Sequence, residues 1–329
     1  MLTTRSAPPV LAASALAVAL AATSIGALLA DLYGVLAMGR FFWWITVPSL
    51  VGLTVLATAP VPNIASVQER IRIGAVAGVA GIIGYDVVRI PFVMMGQRLL
   101  APIDSYGLLL SGGHMATPWS NMLGWLFHLS NGVTFGIIYA VVAARRHWAW
   151  GVAWGVTLET AVVLSPFLER YALAGKYGSI ALAFGAHVAF GYPVGRMLQR
   201  YDQTRDHLYS VVRRPAMAIL VLAVGGLFVW HHPWTRSPAR REASAVAART
   251  GRTTAVVTRD RFVPEWLRVQ QGGCVHVVNH SPIAFTTKVA PVPARGEVDL
   301  CFPKGAARVV RVQLSGEAYS GGFVLVEDG

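Results

Sequence analysis

The chain has 329 residues, of which 54% are hydrophobic and 13% charged, where a soluble domain carries about 25% charged residues. Most of it therefore has to lie in lipid. The net charge of +12 comes from basic residues placed between apolar runs and after the last one. It reads as membrane topology, and the absence of interleaved basic and aromatic stretches excludes a nucleic-acid partner.

In chain order, apolar runs near 8–30, 41–60, 71–95, 119–144, 147–167, 177–197 and 214–231 are long enough to cross about 30 Å of hydrocarbon. These predict seven transmembrane helices. The first is apolar from Pro9 to Ala30, longer than the roughly 7–15 residues of a signal-peptide core. With the N-terminus inside, the cytoplasmic segments hold Arg5, Arg70, Arg72, Arg145, Arg146, Arg196, Arg200, Arg205, Arg213 and Arg214. The outer loops hold only Arg40, Arg98, Arg170 and Lys176. Because Lys and Arg stay on the cytoplasmic side during insertion, the expected protein is multi-pass in the cell membrane, with a cytoplasmic N-terminus and an outward C-terminus.

Several ionisable residues fall well inside these runs: Asp86 with Arg89, His128, Glu159 and His187. A charge at bilayer depth costs about 2.5–3.5 kcal/mol or more, so each is a functional candidate. Asp86, His128, Glu159 and His187 each lie about nine residues, or about 13 Å, from the outer end of their own helix. Two imidazoles and two carboxylates in one layer form a ligand set for a transition metal ion: Zn, Fe, Mn or, less distinctively, Cu. Tyr85, Arg89, Asn131 and Thr160 are placed to orient such ligands. The same four residues also suit a proton or cation relay. Structural pairing, Asp86 with Arg89 and either histidine with Glu159, is the plainer alternative. A haem held by His128 and His187 fits poorly beside two carboxylates. The alternation of carboxylate and imidazole hints at two copies of a helix pair. His114 and Asp104, in the outer loop 96–118, are expected in solvent.

After the last apolar run, the Pro-, Arg- and Ala-rich stretch 232–251 reads as a linker. Residues 252–329 alternate in short apolar bursts separated by Gly and Pro, the pattern of a small β-sandwich. The only two cysteines, Cys274 and Cys301, lie in it. A disulfide between them suits an oxidising compartment and is expected to staple the sandwich.

Phe262-Val263-Pro264, Gly272-Gly273, Val275-His276-Val277-Val278-Asn279, Gly316-Glu317-Ala318-Tyr319 and the closing run Gly322–Val326 come in the order of the motifs of the cupredoxin family. The tail resembles that family over about residues 252–329. The resemblance also implies what is missing. Phe285 occupies the place of the first His ligand, and Ser320-Gly321 is all that remains of the ligand loop, so no type 1 copper is expected. His276 and His280 are expected to be exposed strand and loop residues.

The expected architecture is an α-helical polytopic membrane domain (1–231), a linker (232–251) and an extracytoplasmic cupredoxin-like β-domain (252–329) open to a protein partner. The expected function is that of an integral membrane metalloprotein with its site near the outer face. The alternative is a proton- or cation-coupled transporter using the same residues as a relay, with the β-domain as docking module. No nucleotide loop, Ser-His-Asp order or H-E-x-x-H run names catalytic residues.

Overall fold

The computed structural model describes residues 8–95, 99–115, 117–171, 173, 175–212, 238–258, 262–287, 289–304, 309–312 and 322–327. They divide into two compact units: Met1–Leu99 with Leu126–Leu222, and Leu100–Trp125 with Ala223–Gly329.

The first unit is helical. It contains α1 (Pro8–Leu32), α2 (Met38–Phe41), a π-helical turn (Phe42–Thr46) and α3 (Val47–Thr58). There follow α4 (Ala65–Met94), most of α6 (Pro118–Ala143), α7 (Ala149–Val163) and the single turn α8 (Phe167–Arg170). α9 (Tyr177–Gln199) and α10 (Tyr201–Val212) complete it. Four helical stretches, Pro8–Leu32, Met38–Thr58, Pro62–Val93 and Pro118–Ala143, are long and apolar enough to cross a membrane, with mean hydropathies of 1.6 to 2.0. Their outward faces carry unpartnered Leu11, Trp44, Val51, Val55, Val87 and Val142, as lipid-facing surface requires.

The seven predicted spans are thus met only in part. The run 147–167 is largely apolar, but its helix stops at Val163 after 15 residues, about 22 Å, because Ser165-Pro166 ends it. α9 has the length, 23 residues, yet Gly, His, Tyr and Pro residues dilute its apolarity. The run 214–231 lies outside the described residues.

Helix contacts in this unit are made by small residues. Gly74 and Gly78 of α4 face Gly136 and Gly132 of α6, and a Cβ on Gly78 would come within 2.8 Å of the Val133 Cα. Gly151 and Gly155 of α7 face Gly191 and Gly195 of α9, where a Cβ on Gly191 would lie 2.8 Å from the Val152 Cα. Gly81 of α4 receives Phe190 and Val194 of α9. Without a hydrophobic drive between helices in lipid, such backbone approach is what holds helices together.

At one end of these helices the turn between α6 and α7 clamps the end of α9. Arg145 sits at φ 67° and its N–H donates to the Leu198 carbonyl at 2.9 Å, while the Trp148 N–H donates to Gln199 Oε1 at 3.1 Å. The Arg145 guanidinium donates to Asp202 at 2.8 Å and lies 4.6 Å over the Tyr201 ring.

In the second unit, α5 (Ala101–Ser111) packs on residues 118–125 of α6, where Gly107 lies against Ser120 and Gly124 against Ile103. Among the described residues the rest is a helix, α11 (Pro238–Thr250), and nine strands: β1 (Thr254–Val257), β2 (Phe262–Val263), β3 (Trp266–Gln270), β4 (Cys274–Asn279), β5 (Phe285–Thr286), β6 (Pro291–Val292), β7 (Glu297–Cys301), β8 (Val309–Val312) and β9 (Gly322–Glu327). One sheet has the order β2-β1-β4-β7, another β3-β9-β8, and β5 pairs with β6. Alternate residues from all three, among them Val257, Val275, Leu300, Leu267, Val324 and Phe285, fill one core.

Three expectations change here. The stretch read as a linker is helical from Pro238 to Thr250, since its alanines favour a helix, and Ala243 buries itself against Val256 and Val278. Cys274 and Cys301 are disulfide-bonded, but they are cross-strand partners of β4 and β7 in one sheet; the bond does not run between sheets. Closing a loop of 27 residues is worth about 3 kcal/mol. His114 is exposed but not left to solvent: its Nδ1 lies 3.1 Å from the Arg268 carbonyl, and its own carbonyl accepts the Arg268 N–H at 3.0 Å. With the Met115–Leu267 bridge, this lays the loop along the free edge of β3.

His276 is nearly covered, not exposed. Its Nδ1 lies 2.8 Å from Asp299 and its Nε2 3.4 Å from Glu297. His280 pairs with Glu242 of α11 at 2.7 Å. Phe285 is a core residue. The segment around Tyr319 lies outside the described residues.

Candidate intramembrane site

The glycine contacts determine where the charged side chains meet. In α7, Glu159 follows Gly155 by one turn, and a Cβ on Gly155 would collide with the carbonyl of His187. The backbone of His187 can therefore approach closely, and the next turn of α7 presents Glu159 to its ring. In α6, His128 precedes Gly132 by one turn, and Gly132 meets Gly78 and Ile82 of α4. Continuing one turn beyond Ile82 along α4 brings Asp86 to His128.

Two imidazole–carboxylate pairs result. His128 Nε2 lies 3.1 Å from each Asp86 oxygen, and the Arg89 guanidinium donates to Asp86 Oδ1 at 3.3 Å. His187 Nδ1 lies 2.9 Å from Glu159 Oε2 and 3.0 Å from the Ala183 carbonyl. Both of those neighbours are acceptors, so Nδ1 is the nitrogen placed to donate to them. The Glu159 side chain is only 4% exposed and Arg89 9%, so each charge relies on its partner.

Tyr85 stands between the pairs. Its ring centroid is 4.9 Å from that of His187, edge-on at 76°, and 5.8 Å from that of His128. The Arg89 guanidinium lies 4.8 Å over the same ring, a cation–π contact that orders both.

All four principal candidates are thus brought into two adjoining contacts, but not around one point. Among the described residues no group of three or more His, Cys, Asp or Glu side chains converges to hold a metal ion. Of the supporting residues, Tyr85 and Arg89 join the site. Thr160 does not: it is exposed and its hydroxyl donates to the Val156 carbonyl at 2.8 Å, because it lies one residue round the helix from Glu159. Asn131 holds a buried Oδ1 without a hydrogen-bond partner among the described residues.

The pairing of Asp31 with Arg170 escaped the sequence reading. Asp31, in the last turn of α1, forms a buried ion pair with Arg170 of α8 and accepts the Met38 N–H at 3.1 Å. The available signal was an aspartate ending an apolar run. A second unread signal was His-x3-Gly-x3-Gly, which occurs in α6 (His128, Gly132, Gly136) and again in α9 (His187, Gly191, Gly195). It gives the suspected helix-pair repeat a register.

No family model, no curated protein and no solved structure matches the chain.

Proposed function

We propose that the helical unit is a proton-coupled membrane transporter whose two imidazole–carboxylate pairs form a proton relay. One observation carries this reading: the Tyr85 ring lies against both histidines, so the His128–Asp86 and His187–Glu159 pairs adjoin. Histidine titrates near neutrality, and chains of Asp, Glu and His within a membrane serve proton transfer. A shared metal ion has less support, because each imidazole is already bonded to its own carboxylate. The β-domain is read as a copper-free relative of the cupredoxins, a docking module on the outer side.

The topology proposed with it is seven crossings, N-terminus inside and C-terminus outside. Its support is the contact of residues 112–115 with β3, which needs that loop and the β-domain on one side. Four crossings between them, α6, α7, α9 and 214–231, meet the requirement. The Cys274–Cys301 bond agrees with an oxidising outer compartment.

The test is proton flux into proteoliposomes enclosing a pH-sensitive dye, driven by a potassium diffusion potential, with metal content measured on the same samples. Wild-type protein should acidify the lumen, and Asp86→Asn and Glu159→Gln should each abolish the signal. Flux equal to that of the wild type in both variants would overturn the relay. Stoichiometric metal that disappears in all four single variants of Asp86, His128, Glu159 and His187 would replace it with the metal site.

A further inference from the structure

The end of the helical unit opposite the relay carries seven arginines, at 70, 72, 145, 146, 196, 200 and 205, against three carboxylates, Glu69, Asp202 and Asp206. The carboxylates are all taken. Asp202 holds Arg145, while Arg205 reaches Asp206 at 2.9 Å and Glu69 at 3.7 Å. Arg70 donates to the Val141 carbonyl at 3.0 Å. Arg146, Arg196 and Arg200 make no ion pair or hydrogen bond through their side chains among the described residues.

These three are neighbours by construction. Arg196 and Arg200 are four residues apart at the end of α9, on one face. Arg146 follows Arg145, whose N–H is bonded to the Leu198 carbonyl between them. Beside them Trp148 stacks edge-on against Tyr192 at 5.5 Å, and Trp150 is 62% exposed. Indole and phenol rings with one apolar and one wet end mark the level of lipid headgroups. The helix dipole of α9 favours a cation at its end, but that accounts for one arginine, not for three unpaired ones around an aromatic pair.

We infer that Arg146, Arg196 and Arg200 form a binding site for the phosphate of an anionic phospholipid, with its acyl chains against the apolar sides of α7 and α9. The site is independent of the relay. The shared chemistry is a phosphate ester, and the aromatic and apolar flanks assign it to a lipid headgroup in place of a soluble phosphate. Each arginine at an anionic membrane surface contributes about fivefold to affinity, so the three together contribute on the order of a hundredfold.

The experiment uses the full chain in neutral detergent and a fluorescent phosphatidylglycerol as probe. Unlabelled phosphatidylglycerol should displace the probe, while phosphatidylcholine and millimolar inorganic phosphate should not. Combining Arg146→Gln, Arg196→Gln and Arg200→Gln should weaken binding on the order of a hundredfold, and Arg40→Gln should leave it unchanged. The three corresponding lysine substitutions should keep binding within a few fold, which separates loss of charge from loss of fold. Wild-type protein that binds phosphatidylcholine as tightly as phosphatidylglycerol overturns the proposal, as does displacement by inorganic phosphate. Unchanged affinity in a folded glutamine variant overturns the assignment of these residues.

Discussion

At the scale of single residues, Glu159 and His187 are the pair most dependent on each other. His187→Ala leaves a carboxylate that is 4% exposed without its partner, and the expected loss is about 3–5 kcal/mol of stability. Adding Glu159→Gln to it should restore much of that loss, since the uncompensated charge is gone. Thermal unfolding of the two single variants and the double variant in detergent checks this; additive losses would mean that the two side chains do not interact. A second prediction concerns Tyr201, beyond the end of α9. Burial first, then the Glu69 carboxylate, pushes its phenol up to about 12 from an ordinary 10.0. The unfolded phenol ionises first, so this contribution to stability is complete below pH 10 and disappears as pH rises toward 12. A spectrophotometric titration should show a late tyrosinate that is missing in Tyr201→Phe; its ionisation near pH 10 would contradict the buried environment. The residues of both imidazole–carboxylate pairs were legible in the sequence because charge inside an apolar run is rare. Their partners were not. Thr160 and Tyr85 flank carboxylates alike in the sequence, and only the helix rotation turns one out and the other in.

At the scale of elements, two glycines of the same helix make opposite predictions. A Cβ on Gly191 meets the backbone of α7, whereas one on Gly185 meets nothing within 4 Å. Gly191→Ala should therefore separate α7 from α9, cost about 1–3 kcal/mol and break the Glu159–His187 contact. Gly185→Ala should be neutral or stabilising by about 0.4–1 kcal/mol. Melting temperatures of the two variants, with proton flux measured alongside, test the pair, and similar behaviour would contradict the crossing. Apolar length located α1, α3, α4 and α6 from sequence, because lipid imposes length directly. The same signal gave the run 147–167 too long a helix, because Pro166 ends the helix at Val163 without making the segment less apolar. It also overlooked α11, which is too polar to register as a span and was read as a tether for its prolines and arginines. The π-helical turn Phe42–Thr46 left no sequence signal; it adds a residue to one turn just where Phe42 packs on Phe127 at 6.0 Å.

For the molecule as a whole, the proposed orientation predicts that an Ala248→Cys variant, in the exposed last turn of α11, is labelled on intact cells by an impermeant thiol reagent. An Arg146→Cys variant should be labelled only after lysis. The reverse pattern would invert the topology. Alternation of apolar residues revealed the β-domain, but it did not reveal that the domain extends beyond its own segment of chain. Strand β3 is an outer strand of its sheet, and what covers it is Gly112–Met115, made more than 150 residues earlier. An uncovered strand edge is a template for pairing with another molecule. During synthesis the covering loop is complete well before residues 266–270 emerge, so the edge meets a waiting partner from its own chain before it can meet a stranger. A fragment beginning at residue 252 lacks that cover, and its first partner in solution is another copy of itself.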